Sequence, residues 1–218
     1  AMGDPHHTGG DPLNVMGSLD KWSWPIMAQA TGGKHYTENK QGQPYVDQNF
    51  DSYSVEYTYA DGTKLMHYGR TIEGCHNEFA SYIHGTKGFG TFSKNGHWPA
   101  PSALYSGLTP NPKNQTWKFP ARETNPYQDE WEDLLDAIRN DKPYNEAERG
   151  VLASQVCNMG RMAAHTGQRV MWDDALNAEP LAPNLEKLVG LGGDAPVKAN
   201  ADGSYPSPQP GITKKREY

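Results

Sequence analysis

The chain has 218 residues, a formal net charge of -6, 23 glycines and 17 prolines, with a mean hydropathy of -0.84 and a pI of 5.7. An acidic chain without a basic block beyond the terminal KKRE excludes a phosphate-backbone binder, and the lack of an apolar run near ~18 residues excludes a membrane-spanning helix. The 6 Trp and 12 Tyr supply enough apolar area for a core, which excludes wholesale disorder.

Residues 1–18 are rich in Gly, Pro and Asp and read as an irregular arm or cloning remnant, since Ala precedes Met at the start. PIMAQATGG (25–33) reads as a strand that stops at a glycine pair, followed by a polar, turn-rich loop at 34–49. From residue 50, Tyr53, Val55, Tyr57 and Tyr59 alternate with Ser52, Ser54, Glu56 and Thr58. Asp61-Gly62 then signals a hairpin into a second strand at 64–70. FASYIHGTKGFGTFS reads as strand, turn at 85–88 and strand, which makes four or five antiparallel strands to this point. Residues 94–124 carry Pro99, Pro101, Pro110, Pro112 and Pro120 and read as loop.

Asn125 and Pro126 open a helix in which Tyr127, Trp131, Leu134, Leu135 and Ile138 recur at helical spacing, a stripe expected to face the core. A capping box, Asn145 to Glu148, opens a second helix through Val151, Leu152, Val156, Met159 and Ala163, with a stop at Gly167. QRVMW is a short strand and DDALN a further helical turn. Residues 180–218 form a Pro/Gly-rich tail, leaving 19–179 as the folded domain. The fold class is α+β: a mostly antiparallel open sheet with helices covering one face.

Cys75 and Cys157, the only cysteines, are expected to be reduced thiols. Cys75, His76 and His84 suggest a zinc or nucleophilic centre. However, strand neighbours point to opposite faces, and His84 falls at a hairpin turn, so no metal site is expected. His76 alone is kept as a candidate substrate contact. His6-His7, in the arm, reads as solvent-exposed.

FDSYSVEYTYADGTKL, GCHNEFASYIHGTKG, NPYQDEWEDLLDAIRNDKPYNEAERG, MGRMAAHTGQRVMWDDALN and the terminal PGITK together resemble the C-terminal domain of Gfo/Idh/MocA oxidoreductases, in the long-tailed bacterial subgroup. The resemblance implies an enzyme whose N-terminal Rossmann domain binds NAD or NADP. Its C-terminal α+β domain covers the nicotinamide, contacts a sugar or polyol and packs against another subunit, so a homo-oligomer through the sheet face is implied. The family chemistry is hydride transfer at a carbinol, or transient oxidation during glycoside cleavage. Three departures stand out. No strand leads into G-x-G-x-x-G, and GLGGD (190–194) lacks that context. The Glu-Lys-Pro of the family is missing, LEKLV (185–189) being no substitute. The His-x-x-Asp motif would fall at 17–20, where Asp20 matches but Gly17 replaces histidine. The chain alone is therefore expected to be inactive and to bind no cofactor.

In the family the loop after the first strand lies near the sugar, which makes Lys34, His35, Tyr36 and Asp47 candidate substrate residues, with Gln48 beside them. Hydroxyls need paired donors and acceptors, and sugar faces stack on rings, so the residue types suit that role. Arg70, at a strand end, is a weaker candidate. The partners expected are a sugar or polyol and a Rossmann domain, without nucleic acid or membrane, in the cytoplasm, with periplasmic export left open. The competing reading is a free-standing binding or assembly module that has lost its cofactor domain.

Overall fold

The structure, a computed structural model, describes residues 23–36, 38, 40–43, 48–95, 101–120, 125–178, 185–193, 195–215 and 217. His6, His7, Gly17, Asp20 and Asp47 lie outside the described residues. The chain divides into two compact units, Ala1–Trp24 with Cys75–Ser154, and Pro25–Gly74 with Gln155–Tyr218.

The second unit is built on strands β1 (Met27–Gly33), β2 (Ser52–Thr58), β3 (Lys64–Arg70) and β8 (Val170–Met171), in the order β3-β2-β1-β8. All pairings are antiparallel. The β2–β3 hairpin turns where the sequence signals it: Gly62 has φ +86°, and Asp61 Oδ1 accepts the Thr63 amide at 2.9 Å. The alternation in β2 sorts the side chains by face. Val55, Tyr57 and Tyr59 are buried at 1%, 0% and 4% exposure. They meet helix α2 (Ala147–Thr166), which turns Val156, Met159 and Ala163, all fully buried, towards them. Burying each large side chain of this set stabilises the fold by about 1.5–3 kcal/mol. Gly160 sits at the closest approach: a Cβ there would overlap the Tyr57 hydroxyl and lie 3.2 Å from Val55 Cγ1. The Tyr57 hydroxyl donates to the Val156 carbonyl at 3.0 Å, and burial pushes its pKa well above the ordinary tyrosine value.

Helix α2 ends at Gly167, φ +68°. There the tail docks: the Gly211 amide donates to the Thr166 carbonyl at 2.9 Å, and Pro210 packs on Gly167. The PGITK motif thus caps a helix end. The short helix α3 (Trp172–Leu176) follows β8.

The first unit holds strands β4 (Ser81–His84), β5 (Gly88–Phe92), β6 (Ala103–Ser106) and β7 (Gln115–Lys118) in that order, all antiparallel. The α+β class holds, with open antiparallel sheets and helices. The strands number eight among the described residues and fall in two sheets, where the sequence predicts four or five together with the short strand QRVMW. β8 takes the slot beside β1, so the β4–β5 hairpin builds its own sheet. Its other two strands lie in the stretch expected to be loop. Each has only four residues, and the flanking Pro101, Pro112 and Pro120 bound them without interrupting the ladder.

Helix α1 (Pro126–Arg139) is capped by Asn125, whose Oδ1 accepts the Tyr127 amide at 3.0 Å. Its stripe corrects the expectation of a core face: Trp131 and Ile138 are 62% and 67% exposed, and among its described side chains only Ala137 is buried. Periodicity marks which face is apolar; it says nothing of what covers it.

Candidate functional site

Three segments meet at one end of the β1–β2–β3 sheet, because the register pairs Gly33 with Ser52 and Ser52 with Arg70. Lys34, His35 and Tyr36 follow β1 there, Asp51 precedes β2, and Arg70 ends β3. The His35 ring places Nδ1 2.7 Å from Asp51 Oδ1, and the His35 amide donates to Asp51 Oδ2 at 2.7 Å. Partial burial works to raise the Asp51 carboxyl. Hydrogen bonds from the His35 side chain and backbone outweigh it and hold the group below the usual carboxylate range. The Asp51 backbone is fixed on both sides, its amide to Gly33 O at 3.2 Å and its carbonyl to the Thr71 amide at 2.8 Å.

The segments flanking this pair are polar. Lys40 and Glu73 form an exposed ion pair at 2.6 Å, Tyr36 is exposed, and Arg70 stands on the open sheet face opposite α2. With Nδ1 engaged by Asp51, the half-exposed His35 ring retains Nε2 as its remaining donor or acceptor. Lys34, His35, Tyr36 and Arg70 are therefore brought to one sheet end. Asp47 lies outside the described residues. His76 belongs to the other unit, where it is exposed.

The Cys75–His76 pair needs a correction of reasoning. Residues 75–80 are not a strand, since β4 begins at Ser81, so strand alternation does not separate the two side chains. His84 lies at the end of β4, its ring 4.7 Å edge-on from Phe89. No disulfide joins Cys75 to Cys157. Among the described residues no three His, Cys, Asp or Glu side chains converge as metal ligands, and no helix is long and apolar enough to cross a membrane. The glycines of 190–193 follow a 3-10 turn, Leu185–Lys187, and are exposed, with no strand in the described residues 185–189 before them. That setting does not fit a dinucleotide phosphate.

Sequence reasoning missed two features. One is Asp51, which carries no pattern of its own. The other is a buried polar network: Tyr53 Oη lies 2.8 Å from His165 Nε2, His165 Nδ1 lies 2.9 Å from Glu217 Oε2, and Arg161 Nε donates to Glu217 Oε1 at 3.2 Å. His165 and Glu217 are fully buried. The Phe50 amide donates to Tyr53 Oη at 3.0 Å, and the His165 ring lies between that hydroxyl at Nε2 and the carboxylate at Nδ1.

No family model and no curated protein match the sequence. Solved structures do match. One is an aldose–aldose oxidoreductase from Caulobacter crescentus, solved with glycerol, at 14% identity and TM-score 0.52, over 68% of this chain and 42% of that one. Another is a protein assigned as an NADPH-dependent oxidoreductase from Desulfitobacterium hafniense, at 16% identity and TM-score 0.51, over 71% and 44%. The chain thus spans about two fifths of the length of the structures it matches, and it shares the fold that the Gfo/Idh/MocA resemblance implies.

Proposed function

We propose that residues 19–179, with the tail 180–218, form the substrate-binding and oligomerisation domain of a NAD(P)-dependent sugar or polyol oxidoreductase. The chain is not catalytically competent alone. The cofactor, NAD or NADP, belongs to a Rossmann domain elsewhere in the full-length enzyme and would supply the hydride chemistry there. This chain's contribution is to hold the substrate's hydroxyls.

The observation that carries the reading is the sheet-end cluster, on a fold shared with an aldose–aldose oxidoreductase. Asp51 holds His35 by two contacts, one to its ring and one to its backbone amide, Lys34 and Arg70 add cationic donors, and Tyr36 adds an exposed aromatic face. A polyol needs that combination, because each buried hydroxyl requires a partner and the carbon face stacks on a ring. Asp47 and His76 stay candidate substrate contacts on the family resemblance and residue type alone, apart from this cluster. Self-association would use the open face of the β1–β2–β3 sheet, where Met66 and Tyr68 are exposed beside the Gln29–Glu56–Lys64 hydrogen-bond chain.

The test is an amide NMR titration of the chain with a panel of aldoses and polyols. Shifts centred on 34–36, 51 and 70 are expected, and His35→Ala or Arg70→Ala should weaken binding about tenfold, the size of one hydrogen bond to a charged group. NAD(H) should shift nothing. A panel that leaves these amides unmoved, or moves only residues away from them, would sink the reading.

A further inference from the structure

The buried network and the sheet-end cluster share a segment of backbone, and the sharing has a direction. Glu217 has no exposed surface, and a buried carboxylate is tolerated only where partners satisfy it. It has two, Arg161 on one oxygen and His165 on the other. The same His165 ring is held at its far nitrogen by Tyr53 and at its side by the Phe50 ring, edge-on at 4.7 Å. Tyr53 Oη in turn receives the Phe50 amide. Phe50 is therefore pinned on both flanks, its own amide by Tyr53 and the following amide, that of Asp51, by Gly33 O. There is no slack on the third side either: a Cβ on Gly32 would sit 2.8 Å from Phe50 Cδ2 and 2.7 Å from Ser52 O. The next side chain along is Asp51, whose two oxygens hold His35.

We infer that Glu217 is a positioning residue for the sheet-end site, acting through His165, Tyr53 and Phe50 on the Asp51–His35 pair. The tail segment does more than cap α2 at Thr166. It sets the backbone angle from which Asp51 orients the imidazole, so docking of Glu217 and readiness of His35 to meet a hydroxyl are one event. The inference rests on reading the cluster as a substrate site, but it concerns how that cluster is held.

The experiment is therefore done without ligand. In the full chain, the ring nitrogen signals of His35 and the amide hydrogen exchange of His35 and Phe50 are followed in Glu217→Gln, which keeps the side-chain shape, and in Tyr53→Phe, which keeps the ring and removes the hydroxyl link. Lys142→Ala, on an exposed ion pair with Asp136, is the control. Both network variants should move the His35 ring signals and speed exchange at both amides by about tenfold, as local opening becomes easier. The control should do neither. If Glu217→Gln or Tyr53→Phe lowers the unfolding midpoint while the His35 signals stay at wild-type positions, Glu217 only anchors the tail and the inference is wrong. Should Glu217→Gln fail to fold, Tyr53→Phe decides alone. A failed sugar titration would remove the proposed function and leave this coupling standing, and the reverse outcome is equally visible.

Discussion

Helix α1 carries a much sharper apolar stripe than α2, yet α2 is the helix that is buried. In α2, Val156, Met159 and Ala163 are fully buried against β2, because Gly160, Ala163 and Ala164 let the strand approach and leave no room for anything larger. In α1, bulky residues occupy the stripe and are mostly exposed, Trp131 and Ile138 most of all. Small residues at a contact make a helix face specific to one partner; large ones make it apolar without saying for whom. The same contrast runs through the polar groups. The β1–β2–β3 sheet encloses a satisfied His–carboxylate–Tyr network, whereas the polar contacts of α1, such as Lys142 with Asp136 and Asn140 with Asp136, lie at the surface.

That comparison is broken most directly at Gly160. Gly160→Ala should cost about 1–3 kcal/mol in denaturant unfolding, because the overlap with Tyr57 outweighs the gain in helix propensity. A neutral or stabilising result would mean that the α2–β2 contact is looser than described. The next effect is at the site. Asp51 is held below its ordinary value of 3.8, so its pairing with His35 contributes fully above that pH and is lost as pH falls through the depressed folded value. Asp51→Asn should therefore be less stable than wild type by about 1 kcal/mol at neutral pH, with the difference shrinking as acid protonates Asp51. A difference that persists into acid would point to packing and not to charge. The smallest effects belong to the exposed apolar positions. Ile138→Ser and Tyr68→Glu should each leave stability within about 0.5 kcal/mol. In sedimentation, Tyr68→Glu should reduce self-association and Ile138→Ser should not; the opposite pattern would move the assembly surface to α1.

Legibility in the sequence followed the range of the interactions. The Asn125 cap, the Asp61-Gly62 hairpin and the Gly167 stop are decided within four or five neighbouring residues, and all three appear where the pattern places them. β6 and β7 are too short to show a period, and only pairing with β5 makes them strands. The membership of Lys34, His35, Tyr36 and Arg70 in one cluster depends on sheet register. The sequence reading reached it through strand ends and the family resemblance. Asp51 was invisible because an aspartate before a strand is ordinary until its histidine is placed 16 residues away. The Tyr53–His165–Glu217 network joins side chains 112 and 52 positions apart, and no local pattern spans that distance.

Those separations also fix an order of events during synthesis. β2 and β3 can pair as soon as the hairpin has left the ribosome, but His165 has no carboxylate to face until residue 217 has emerged. Until then the nascent chain holds a buried-to-be imidazole and a guanidinium without their anion, a half-built interior that water must occupy. Closing loops of that length is slow compared with forming a hairpin. The final maturation of the sheet end is therefore a late step, timed by the arrival of the tail.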